Sequence, residues 1–186
     1  MMKIRSLILT AALVGAGSSA LADLQLNAGP MYIRGEDEEA GGFELGVGWY
    51  AKHSTSSLAS SINLGYLGIA SLKEDNPSFE VESDYTVLGL DYKLYFPLMQ
   101  DGGLSAYIEG FAGGANTTAE VNIDDIEVEE WGFAWGVGGG LEYDFTDNVG
   151  LSLGYTFLGL NEPNEGGYAL GADSLHLVRL NLVVRF

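Results

Sequence analysis

Two histidines bound the acid–base and nucleophilic chemistry open to this 186-residue chain. His176 follows Ser174 by two residues, so both fall on one face of an extended strand, with Asp173 beside them. A serine, a histidine and a carboxylate support acyl transfer when the base reaches the hydroxyl and an oxyanion donor is at hand. Sequence proximity supplies neither condition, and an interfacial polar residue at a girdle is the better account of His176. His53, followed by Ser54, falls where the strand pattern lapses and reads as a turn residue. Cysteine is absent, which excludes thiolate nucleophiles, thiolate metal sites and disulfides. Carboxylates dominate instead: 26 acidic residues against 8 Lys and Arg give a net charge of −18. That excess repels nucleic acid and favours cations or basic partners, although it also suits a surface solvated in a salty habitat.

The elements that must position these groups are strands. Lys3 and Arg5 precede the apolar run 7–14, and small residues lead to Ala20-Leu21-Ala22, the order of a secretory signal. Cleavage after Ala22 leaves residues 23–186 as one domain with six basic residues and a charge of about −20. From Leu24 onward the apolar residues repeat every second position, as in Phe133, Trp135, Val137, Leu141, Tyr143 and Phe145. Strands are expected at about 24–34, 43–52, 61–72, 84–96, 104–117, 130–145, 149–160 and 175–186. Most are about ten residues or longer, as a tilted membrane strand requires. Their connections alternate between short ones (53–60, 97–103, 146–148) and longer, mostly acidic ones (35–42, 73–83, 118–129, 161–174). The fold class expected is all-β, an eight-stranded antiparallel up-and-down transmembrane barrel, with the longer connections outside the cell.

Parity then sorts the charges. Glu44, Asp91, Lys93, Glu109, Glu142, Arg179 and Arg185 oppose the greasy face and must point inward, where pairing into a polar plug is the simplest remedy for burial. A proton or ion path through them is the alternative. Trp49, Phe96, Phe145 and Phe186 should form one aromatic girdle, and Phe43, Trp131, Phe133 and Phe157 the other. Beyond the membrane the alternation persists, so strands four to six are expected to project. With Asp124-Asp125 as a two-residue turn, Ile123 would pair with Ile126 and Val121 with Val128. Glu80, Glu82, Asp84, Glu120, Asp124, Asp125, Glu127 and Glu129 line this projection and are the candidates for contact with cations or lipopolysaccharide. No twelve-residue Ca²⁺ loop is present, so any Ca²⁺ or Mg²⁺ would be weakly held and shared, and no other cofactor is implied.

In the last strand Val178, Leu180, Leu182, Val184 and Phe186 share one face, and the sequence stops at that phenylalanine. With the pieces Gly138–Phe145 and Asn148–Phe157, this strand resembles the small outer-membrane β-barrel superfamily of OmpA-like and OmpX-like barrels and opacity-type surface proteins. The resemblance implies a location in the bacterial outer membrane. It also implies that Val184 and Phe186 belong to a signal read by the barrel-assembly machinery. Some members modify lipid A, but the deacylase-like pattern places serine after histidine, the reverse of Ser174 and His176. The function expected is therefore noncatalytic: a structural or surface-interaction barrel whose acidic hairpins meet lipopolysaccharide, cations or an external partner that the sequence does not name. A narrow channel, or a lateral path for a small apolar compound, is the competing reading.

Overall fold

The computed structural model describes residues 22–35, 39–52, 58–76, 79–99, 103–121, 126–160 and 174–186, with backbone alone at 69–76, 79–83, 119–121 and 126–130. The export signal expected over 1–22 lies, apart from Ala22, outside the described residues.

Alternating sequence becomes eight strands: β1 (Asp23–Arg34), β2 (Glu39–Lys52), β3 (Ala59–Asn76), β4 (Phe79–Pro97), β5 (Leu104–Val121), β6 (Ile126–Asp144), β7 (Val149–Leu160) and β8 (Ser174–Arg185). Each pairs antiparallel with its chain neighbour, and β8 returns to β1, closing the barrel. Closure leaves no free edge strand in the wall. At the lower end, where β1 starts and β8 finishes, the β6–β7 turn is tied by Thr146, whose hydroxyl accepts from the backbone N–H groups of Asn148 and Val149 at 3.2 and 3.0 Å. Asn148 exchanges backbone and side-chain bonds with Arg185 across the seam.

The upper end is uneven. β3 to β6 have 18, 19, 18 and 19 residues, whereas β1, β7 and β8 have 12 each. At the usual rise per residue the difference is about 20 Å of strand. Four strands project, not the three expected: β3 joins them, paired with β4 as far as Asn76↔Phe79. Its alternation is broken between Ile69 and Leu72, where the register shifts by one residue. Such a bulge moves later side chains to the opposite parity, which is why the alternation of this strand breaks off early in the sequence.

The hairpin register also differs from the expected one. Val121 pairs with Ile126 and Ala119 with Val128, so Ile123↔Ile126 and Val121↔Val128 do not form. The β5–β6 ladder runs without a slip from Leu104↔Tyr143 to Val121↔Ile126. A turn at Asp124-Asp125 would demand a two-residue shift against that ladder; the membrane portion, with more pairs, fixes the register.

Within the barrel the side chains form zones. Tyr50, Tyr95 and Tyr107 cluster near the lower end. A charged zone follows, and above it lies an apolar cap of residues including Met31, Ile33, Val87, Leu158, Leu175 and Leu177. The interior is thus not the wholly polar plug that the charges alone suggested, because in a membrane wall both parities can be apolar near one end.

Candidate functional site

Glu44, Asp91, Lys93, Glu109, Glu142, Arg179 and Arg185 all lie buried inside the barrel. Arg179, from β8, is the hub. It donates to both oxygens of Glu44 at 3.3 Å and to Glu109, and its Nη2 also donates to the Thr156 hydroxyl at 2.6 Å. Glu44 accepts further bonds from Asn27 at 3.1 Å and Asn181 at 2.5 Å. The Lys93 ammonium lies 3.4 Å from Asp91 and 3.9 Å from Glu109, while Asn63 donates to Asp91 at 2.7 Å. Nearer the lower end, Arg185 donates to Glu142, to Asp144 at 2.7 Å and to Gln25 at 3.0 Å, and its guanidinium stacks 4.0 Å from the Tyr50 ring centroid. Carboxylates and cations removed from water are therefore matched by opposite charge and by amide donors.

Glycine makes room for this network. A Cβ on Gly138 would sit 2.4 Å from the Tyr155 carbonyl oxygen and 2.8 Å from Glu109 Oε1, and one on Gly154 would meet the Tyr107 hydroxyl at 2.2 Å. One cavity between the charged zone and the apolar cap, bounded by Glu109, Thr156, Leu158 and Arg179, has a volume of about 10 Å³. That is room for about one water.

Outside, the wall is apolar: Trp49 and Ile108 are each 57% exposed and Leu153 52%. Val178, Leu180, Leu182 and Phe186 continue it on β8, with Val184 half-buried on the same parity. Phe186 is bonded through its backbone to Leu24, which ties that residue to β1 at the lower end. Such a continuous exposed apolar surface has no place in water.

Comparison with known proteins decides what surrounds it: residues 8–186 match the outer membrane protein beta-barrel domain family. The chain belongs to that family. Among solved structures, a major outer membrane protein from Thermus thermophilus superposes with a TM-score of 0.64 at 12% identity, covering 89% of this chain and 99% of that one. The N-terminal β-barrel domain of Pseudomonas aeruginosa OprF gives 0.53 at 19% identity, covering 88% and 97%. Both likenesses concern the fold. An uncharacterized protein of Brucella abortus (strain 2308) is 30% identical over 107 residues, 51% of this chain and 38% of the relative, so the match spans well under half of that protein.

As an outer membrane β-barrel, the protein meets lipid with its apolar wall, and by the construction of this family the lower end is periplasmic and the upper end external. The lower girdle then comprises Trp49, Phe96, Phe145 and Phe186, and the upper one Phe43, Trp131, Phe133 and Phe157.

Two further sets of residues sit at the outer end. His176 is exposed on the outer wall, and its Nδ1 lies 2.5 Å from the Tyr155 hydroxyl. Its described partner is thus a tyrosine from β7. Sequence reasoning missed Tyr155 because only the register of β7 and β8 brings the two together. Asp173 and His53 lie outside the described residues. The second set is acidic. The ladders align Glu82, Glu120 and Glu127 in one row across β4, β5 and β6, with Lys73 of β3 opposite Glu82. Asp84, Thr118 and Glu129 form the next row, and Asp75 pairs with Glu80. Lys73 and Asp75 were missed because the bulge hides the end of β3. Asp124 and Asp125 lie outside the described residues. Among the described residues no group of acids and histidines has the arrangement of a dedicated metal site.

Proposed function

We propose that this outer membrane barrel is a noncatalytic anchor that carries an acidic four-stranded sheet above the outer leaflet, where its carboxylates share Ca²⁺ or Mg²⁺ with lipopolysaccharide phosphates. The observation that carries this reading is the row Glu82, Glu120, Glu127, in which acidic residues occupy directly paired positions across two ladders. Directly opposed carboxylates destabilise a sheet unless something neutralises them, and hard divalent cations favour oxygen ligands. The barrel-assembly machinery would insert the chain, and an external basic partner would find the same carboxylates. The paired interior and the apolar cap support an anchor over a channel.

The test is thermal unfolding of the barrel in lipopolysaccharide-containing micelles, with millimolar Ca²⁺ or with EDTA. Ca²⁺ should raise the melting temperature of the natural sequence and leave the E82Q/E120Q/E127Q variant unmoved. Identical melting in both media overturns the reading.

A further inference from the structure

The chain has few cations, and their distribution is telling. Among the described residues Lys93, Arg179 and Arg185 are buried in ion pairs, and Lys52 is exposed at the periplasmic end. At the external end Arg34, at the last position of β1, is the cation whose exposed side chain is described, while Lys73 of β3 is paired with Glu82 in the β3–β4 ladder. The ladder partner of Arg34 on β8 is His176. Side chains at directly paired positions project side by side from one face, about 5 Å apart at their Cβ atoms.

His176 is held for a purpose that the hydrogen-bond pattern defines. The Tyr155 hydroxyl and Nδ1 are hydrogen-bonded at 2.5 Å, and the Phe157 ring packs edge-on against the imidazole at 5.5 Å and 70°. In the tautomer in which the tyrosine donates, the ring hydrogen sits on Nε2 and is free for a ligand. Trp135 packs on Phe157 at 5.8 Å, so the donors sit at the level of amphipathic rings, where headgroups begin. Glu39 is the opposing charge, paired with Arg34 across the β1–β2 ladder; its carboxylate is engaged by the Tyr32 hydroxyl.

We infer that Arg34 and His176 form an anion site on the outer wall that takes a phosphate of the lipid A headgroup, with Tyr155 as the residue that positions the imidazole. The partner follows from charge and height. A predominantly acidic external end carries Arg34 and His176 at paired, exposed positions on its lipid side, at the interface where the abundant anion is a phosphorylated lipid. Arg presents a planar fork that matches phosphate, and the imidazole adds a second, directional bond. This site deepens the anchor reading without using the carboxylate rows: it binds phosphate directly, with no cation between.

The experiment is native mass spectrometry of the full barrel in micelles containing EDTA, titrated with bis-phosphorylated lipid A and with the same lipid after dephosphorylation. Folding of each variant is checked by heat-modifiable gel mobility. The phosphorylated lipid should bind about tenfold more tightly than the dephosphorylated one, as the loss of a charge-assisted bond implies. R34Q and H176Q should each lose most of that preference, and Y155F part of it, with binding of the dephosphorylated lipid unchanged. Equal binding of the two lipids, or a preference retained in the R34Q/H176Q double variant, overturns the site. A preference that appears only when Ca²⁺ replaces EDTA and vanishes in E82Q/E120Q/E127Q overturns this site and upholds the carboxylate rows. Absence of any phosphate preference in either medium overturns both.

Discussion

The charged zone inside the barrel and the acidic rows of the projecting sheet handle the same residue types in opposite ways. Inside, Glu44 and Glu109 share Arg179, Asp91 sits beside Lys93, and Glu142 holds Arg185. Above the membrane Glu82, Glu120 and Glu127 follow one another across three strands, with only Lys73 opposite one end of that row. The difference follows from the medium. A carboxylate taken from water must find a partner in the protein, whereas one at the surface is relieved by water and by mobile cations. Partner charge is thus spent where the dielectric is low, and the unbalanced charge is placed where it can attract something.

The comparison breaks most visibly at its hub. R179M leaves Glu44 and Glu109 buried without their cation and should destabilise the barrel by about 3–5 kcal/mol, read from urea unfolding in micelles. A smaller loss in the natural fold would mean that water reaches the charged zone. Next in size is G138A, whose Cβ would press on the Tyr155 carbonyl and on Glu109. It should cost about 1–3 kcal/mol in the same assay, through strain and displaced ion pairs. The smallest effect has the opposite sign. In EDTA, E127Q removes a like-charge neighbour of Glu120 and should stabilise by about 0.2–1 kcal/mol, whereas E82Q also removes the partner of Lys73 and should stabilise less. If E127Q destabilises, the row is not repulsive and the contrast with the interior fails.

The contrast was partly visible in the sequence. Period-two alternation reveals eight strands because each long strand holds one face to lipid, and parity alone assigns Glu44, Arg179 and their partners to the inside. Registers were less legible. Asp124-Asp125 looks like a turn by local chemistry, but the long β5–β6 ladder outweighs it, and the Ile69–Leu72 bulge conceals the end of β3. The apolar cap was less legible because it is gathered from single positions on several strands, such as Ile33, Val87, Leu158 and Leu177, that only closure of the barrel brings together. The Tyr155–His176 contact depends on a pairing between two strands that no spacing within either one discloses.

The central claim is an anchor with a closed interior, and current through it is the most direct measure. Single-channel recording of the purified protein in planar bilayers should show no steady discrete openings, because buried ion pairs and an apolar cap cross the described interior. Steady openings of uniform conductance would contradict the account.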